Sequence, residues 1–309
     1  VSVLVNIASY IPEGRLDNLP SCERFAIQPS FLDEKIGTRE VARRSSDEDA
    51  GTMGTAAARR LLEKTNLLVA DIDAIIVVTQ NPAGGGIPHT SARIQRDLGC
   101  TDTVACFDIS LGCSGYVYGL SILGSFLEAN GLQNGFLITA DPYSPILDET
   151  EKNTVLLFGD AATASLIRTG DTGGWKIGPT LFATRGSAGT AIQNDSGLLQ
   201  MKGRDVFEFC LREVPAQLRA LLARTGLDAT AIDAFVLHQG SKFIVEQIAR
   251  AMALPPGKAP VYLEGIGNTV SSSIPLVLEN KILSTDARRV ILSGFGVGLS
   301  WASALLEKH

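Results

Sequence analysis

This chain of 309 residues is short of cysteine and histidine, and it carries no excess of positive charge. Each scarcity removes a class of protein. The five cysteines, at positions 22, 100, 106, 113 and 210, are odd in number and scattered, with no Cys-x-x-Cys pair. Neither a disulfide framework nor a zinc site is expected, and a reducing cytoplasm fits best. A formal net charge of -6 argues against a nucleic-acid partner. No apolar run approaches the roughly 18 residues that a membrane span needs. The opening Val-Ser-Val-Leu-Val-Asn-Ile stretch lacks a basic leader and reads as a first strand rather than a signal peptide. Only His89, His238 and His309 can supply an imidazole. What remains is a globular composition, 45% hydrophobic and 6% aromatic, long enough for one large or two medium domains.

The segment from Cys106 to Leu120 is the most informative. Val104 to Ile109 reads as a buried strand, Ser110-Leu-Gly112 as a turn, and the residues from Cys113 onward as a packed helix. A thiol at the first turn of a helix faces unpaired N–H groups and the positive end of the helix dipole. Thiolate, the nucleophilic form, is therefore expected there. The strand–turn–nucleophile–helix layout is mechanically a nucleophile elbow. The other four cysteines read as structural, since free cysteine is usually a buried hydrophobe.

Aliphatic runs at 72–78, 104–109, 135–139, 233–237, 259–263 and 289–293 predict strands. They alternate with helical patterns near 50–65, 91–98, 113–130, 204–225, 241–252 and 271–283, which implies sheets covered on both faces. Within this alternation lies a repeat. Residues 59–74 align without gaps on 219–234 at an offset of 160, with eight identities in sixteen positions. The chain is read as two copies of one unit, 1–168 and 169–309, the first carrying the cysteine nucleophile.

The same offset sets Cys113 over Ser273, Asp108 over Asn268 and Val78 over His238. Polar residues thus occupy strand-end loops of both halves, where ligands of open α/β sheets bind. If the halves pack about a pseudo-twofold axis, Cys113, His238 and Asn268 converge in one cleft. Two glycine clusters, Phe158-Gly-Asp-Ala-Ala and Gly294-Phe-Gly-Val-Gly298, fit the same cleft. No Walker-type Lys-Ser/Thr follows the second, so an oxyanion hole is a better reading than a nucleotide site.

These residues resemble the 3-oxoacyl-(acyl carrier protein) synthase III family of condensing enzymes. The resemblance runs end to end. It is carried by Gly37-Thr-Arg-Glu-x-Ala-Arg-Arg44, the Cys113 turn, Leu156-Leu-Phe-Gly-Asp-Ala-Ala162, Met201-x-Gly-Arg-Asp-Val-Phe207, Leu237-His-Gln239, Gly267-Asn-Thr269 and Gly294-Phe-Gly-Val-Gly-Leu-Ser-Trp301. It implies a thiolase-like α/β fold, two duplicated βαβ-type halves packed as an αβαβα layered sandwich. It implies Cys113 as nucleophile toward an acyl-CoA, with the oxyanion held by the backbone N–H groups of Cys113 and Val297. His238 and Asn268 would then hold the thioester oxygen of malonyl-acyl carrier protein during decarboxylative condensation. No metal or redox cofactor is implied. The partners are acyl-CoA, the carrier protein and a second copy of the chain, whose 84–90 loop would reach the neighbour's pocket.

Phe158, Met201, Phe207 and Ser241 belong to the implied substrate-binding set. So do Phe31, Lys35 and Lys152, which stand where Trp, Arg and Arg are usual for CoA contacts; cationic character survives but bidentate geometry does not. Gly240-Ser-Lys-Phe243 replaces the usual carrier-docking Asn and Arg, leaving Lys242 as the nearest cation. Ile87 stands where Phe often caps the partner's pocket, so an acyl preference other than acetyl is expected. Three alternatives compete. A papain-like protease shares the Cys…His…Asn order, but its Cys-Trp signature is absent. A same-fold acyltransferase would pass the acyl group to an oxygen or nitrogen acceptor. A non-catalytic acyl-binding subunit would not need the thiol at 113.

Overall fold

The computed structural model describes residues 1–170, 173–194 and 196–308. One mixed sheet of nine strands runs through the described residues. Its strands are β1 (Ser2–Tyr10), β2 (Ala74–Val78), β3 (Ala105–Ile109), β4 (Asn134–Ala140), β5 (Ala162–Thr169), β6 (Trp175–Thr184), β7 (Ala234–Leu237), β8 (Arg289–Gly296) and β9 (Ser300–Lys308). They lie in the order β7-β8-β9-β6-β1-β5-β4-β2-β3. β1 to β5 therefore form one end of the sheet and β6 to β9 the other. The two ends join through a short antiparallel contact that sets Val3 opposite Lys176 and Leu4 opposite Trp175.

Helices α1 (Ala50–Thr65) and α2 (Thr90–Leu98) cover the outer face of the first half, and α4 (Gly203–Thr225), with α5 (Lys242–Ala251) beside it, covers that of the second. Between them, α3 (Gly115–Asn130) and α6 (Ser273–Val277) touch strands of both halves. The result is the expected αβαβα layering.

Local sequence explains the helices that fix this frame. Asp49 accepts from the Thr52 N–H at 2.9 Å while the Thr52 hydroxyl accepts from the Asp49 N–H at 2.8 Å, a reciprocal cap that starts α1. Met53, Ala57 and Leu61 then recur at helical spacing and are fully buried. In α3, glycines sit where the sheet comes closest. A Cβ on Gly115 would lie 2.3 Å from Val78 Cγ1, and one on Gly119 2.6 Å from Leu137 Cδ1.

The repeat has a physical signature. The Asp73 carboxylate accepts from the N–H groups of Gln133 and Asn134, both at 2.8 Å, where β4 begins. Its twin Asp233 accepts from Arg288 and Arg289 at 2.7 and 2.8 Å, where β8 begins. In each half, one aspartate ties the start of one strand to the start of the next.

One expectation needs correction. Residues 259–263 do not form a strand. Pro260 brings no N–H to a ladder, and the Gln239 side chain takes over the local bonds, accepting from Tyr262 N–H at 2.9 Å. Asp108 lies in β3, within the run expected to be a strand, and its carboxylate accepts from the Thr90 and Ser91 N–H groups at the start of α2.

Candidate active site

Cys113 precedes Ser114, the N-cap residue of α3, so it stands just outside the first helical turn. The β8 glycines press on it from the opposite half. A Cβ on Gly294 would lie 2.6 Å from the Cys113 carbonyl oxygen, and one on Gly296 would lie 2.8 Å from Sγ. Backbone N–H groups of Val297 and of Cys113 itself favour the thiolate, but burial first, and the Asp141 charge second, push the thiol up to about 12. The expected low-pKa thiolate is therefore overturned, because desolvation outweighs what a helix start and two N–H groups offer. Asp141 is itself buried, which raises its carboxyl to about 7. Its Oδ1 accepts from Gln80 N–H at 3.0 Å while Oδ2 is unpartnered.

His238 directly follows β7, and its N–H donates to the Ser293 carbonyl at 2.8 Å. Its Nδ1 lies 2.7 Å from Ser273 Oγ, and its ring meets Phe295 edge-on at 5.4 Å. Burial, working against a Val270 carbonyl near the ring, drives the imidazole down to about 3, so it is neutral. Asn268 is held by the other half of the chain. Its N–H donates to Leu157 O at 2.8 Å, and its O accepts from Gly159 N–H at 2.9 Å. Gly159 is required for that approach, since a Cβ there would lie 1.8 Å from Ile266 O. The Val270 N–H donates to Asn268 Oδ1 at 2.9 Å, which fixes the carboxamide with Nδ2 directed toward Gly240 O at 3.5 Å. Of the two glycine clusters seen in the sequence, the one around Gly159 holds Asn268 and the one from Gly294 to Gly298 backs Cys113.

Cys113, His238 and Asn268 line a single cavity of about 480 Å³. Phe31, Lys35, Lys152, Phe158, Met201, Phe207 and Ser241 line it too, as expected. Ile87, expected at the partner's pocket and not at its own, is 89% exposed on a surface loop. One expected residue does not line the cavity. Lys242 turns away and donates through Nζ to the Asp33 carbonyl at 3.1 Å. The mouth is organised by a residue that the sequence reading left aside: Phe243 stacks on Phe207 at 5.4 Å, and Lys35 Nζ sits 3.6 Å above its ring. Cys210, read as structural, is buried but also lines the cavity. Ser273, which the repeat aligns with Cys113, bonds the His238 ring. No group of potential metal ligands occurs among the described residues. Among them, no helix is long and apolar enough to cross a membrane.

A duplicated, layered fold that brings a buried thiol to a neutral imidazole and a carboxamide defines an acyltransferase of the thiolase fold. Residues 107–186 match the model of 3-oxoacyl-[acyl-carrier-protein] synthase III, and residues 222–308 match that of its C-terminal part. A beta-ketoacyl-[acyl-carrier-protein] synthase III from Lactobacillus helveticus is 33% identical, over 94% of this chain and 95% of its own. A crystal structure of a 3-oxoacyl-(acyl-carrier-protein) synthase III superposes with a TM-score of 0.92 at 33% identity, over 99% of both chains. The priming beta-ketosynthase of the R1128 polyketide pathway superposes with a TM-score of 0.88 at 28% identity, over 99% of this chain and 96% of its own. The chain belongs to the 3-oxoacyl-[acyl-carrier-protein] synthase III family.

Proposed function

We propose that this protein condenses an acyl group from acyl-CoA with malonyl-acyl carrier protein, releasing carbon dioxide and forming 3-oxoacyl-acyl carrier protein. Cys113 Sγ attacks the acyl-CoA thioester, a C–S bond to Sγ forms, and the bond to the CoA sulfur breaks. The Sγ proton leaves with that sulfur as CoA thiol. The N–H groups of Cys113 and Val297 face Sγ and hold the tetrahedral oxyanion. Malonyl-acyl carrier protein then enters, and His238 Nε2–H and Asn268 Nδ2–H donate to its thioester oxygen. Loss of carbon dioxide leaves an enolate whose α-carbon attacks the acyl carbon and expels the Cys113 thiolate. The balance calls for no redox or metal cofactor.

The observation that carries this reading is the placement of a thiol, a neutral imidazole and an oriented carboxamide around one cavity. Intact-mass measurement after incubation with an acyl-CoA series tests it. An acyl adduct that disappears in Cys113→Ala, followed by carbon dioxide release on adding malonyl-carrier protein, is expected. An adduct without carbon dioxide release points to simple transfer onto an oxygen or nitrogen acceptor. No adduct overturns the reading.

Phe31, with Lys152 Nζ 5.5 Å from its ring, and the Phe207–Phe243 stack under Lys35 serve the CoA end. The same rim, with Lys35 in place of Lys242, meets the carrier protein. A homodimer accounts for Ile87, which has no apolar cover within its own chain. It also accounts for β3, the last strand of the sheet, whose outer edge no described strand pairs. Light scattering should give twice the monomer mass. Five unpaired cysteines suit a reducing cytoplasm. The likeness to a priming ketosynthase supports a starter unit of a specialised pathway.

A further inference from the structure

We propose that Ser273 is a positioning residue that fixes the imidazole tautomer of His238, placing the single ring proton on Nε2. The proposal rests on the condensation reading, in which that proton is donated to the malonyl thioester oxygen.

A serine hydroxyl has one proton to give and two lone pairs to offer. Ser273 Oγ accepts the Gln239 N–H at 3.3 Å, so one lone pair is occupied. The acceptor within bonding distance of the hydroxyl is His238 Nδ1, at 2.7 Å. The Oγ–H therefore points to Nδ1, and Nδ1 uses its lone pair as acceptor. Serine and imidazole are both buried, which shields the pair from exchange with water.

Because the ring stays neutral, it has one N–H in total, and the tautomer decides whether it can donate into the cavity. Nε2 lies on the Gly240 side, 3.8 Å from where a Cβ on that residue would stand. Asn268 Nδ2 points to the same residue. Two donors then converge on one oxygen. In the rival tautomer the proton sits on Nδ1 and is donated to Ser273 Oγ, which leaves Nε2 bare.

Ser273 lies 160 residues after Cys113, the offset of the internal repeat. Both positions enter the helices of the middle layer, Cys113 just before α3 and Ser273 as the first residue of α6. The position that supplies the nucleophile in one half supplies the orienting hydroxyl in the other.

Three measurements on Ser273→Ala and Ser273→Thr decide the matter. Acylation of Cys113 by acyl-CoA should stay within about twofold of wild type in both variants, because that step does not use His238. Carbon dioxide release from malonyl-carrier protein should fall about 10- to 100-fold in Ser273→Ala, less than the about 10²–10³ for outright loss of one oxyanion donor, because a mixture of tautomers keeps part of the donor. Ser273→Thr, which keeps the hydroxyl, should restore it. Nitrogen-15 NMR of histidine-labelled protein reads the tautomer directly, and three histidines make the spectrum assignable. Wild type should show protonated Nε2, and Ser273→Ala a mixture. A wild-type ring protonated at Nδ1, or undiminished carbon dioxide release in the alanine variant, overturns the proposal. If wild type releases no carbon dioxide, the condensation reading fails instead, and the NMR tautomer still decides the role of Ser273.

Discussion

Replacing Gly296 by alanine adds one methyl group to the wall behind the nucleophile. That methyl would stand 2.8 Å from Cys113 Sγ and 2.9 Å from its Cβ. Ordinary contacts between such atoms begin near 3.5 Å, so the thiol must move by about 0.7 Å or more. It has little room to do so. On the preceding residue, a Cβ at Gly112 would already meet Gln80 Oε1 at 2.5 Å and Val297 Cγ1 at 2.8 Å. A shift approaching 1 Å at a reacting atom costs about 100-fold in rate. Overpacking of this kind also costs about 1–3 kcal/mol of stability, which thermal denaturation would register as a few degrees. Rapid-quench acylation at saturating acyl-CoA, followed by intact mass, measures the first effect apart from substrate binding. Gly186→Ala, at an exposed site where a Cβ meets nothing within 4 Å, is the control. A folded Gly296→Ala enzyme that acylates at the wild-type rate would refute the packing argument.

Three further outcomes follow from the same geometry. With the Cys113 thiol near 12, its alkylation by iodoacetamide should rise about tenfold per pH unit between about pH 7 and pH 9; a plateau by about pH 8 would sink this. Asp141, raised to about 7, binds its proton more tightly folded than unfolded, so its charge erodes stability as pH climbs from about 4 to 7. Asp141→Asn should therefore melt above wild type at about pH 8, converge with it near pH 4 and alkylate faster at Cys113; lower stability at pH 8 contradicts the assignment. Tyr143 donates to Gln80 Oε1 at 2.8 Å and packs 5.2 Å from Phe158. Phe158 lines the substrate cavity and Gln80 an outer cleft, so Tyr143 bridges one lining residue of each. Tyr143→Leu should extend the acyl-CoA profile toward longer chains, and an unchanged profile would show that the wall lies elsewhere.

Much of this arrangement is legible in the sequence. The repeat located the cleft because Asp73 and Asp233 do the same backbone work in each half, and local periodicity placed α1 and α4 within a residue. Other features were not local. Strand β6 contains Gly178-Pro179, a turn signal in isolation; the sheet absorbs it as a bulge, since the β9 register slips between Ala304 and Leu306. The Cys113 thiol was misjudged because sequence displays a helix start but not the burial that outweighs it. Lys242 was a plausible surface cation until the fold brought the Asp33 carbonyl within its reach. The link from Ser273 to His238 spans 35 residues, and no spacing rule predicts a side-chain contact at that distance.

The pairing of positions 113 and 273 also bears on how such a site arises. Two separate, identical half-chains assembling as a symmetric pair would carry the same residue at both positions. They would present two thiols or two hydroxyls, never one of each. A nucleophile on one side of the cleft and an orienting group on the other require the copies to differ. Joining them in one polypeptide gave each copy its own history, and an asymmetric reaction became available to a symmetric scaffold.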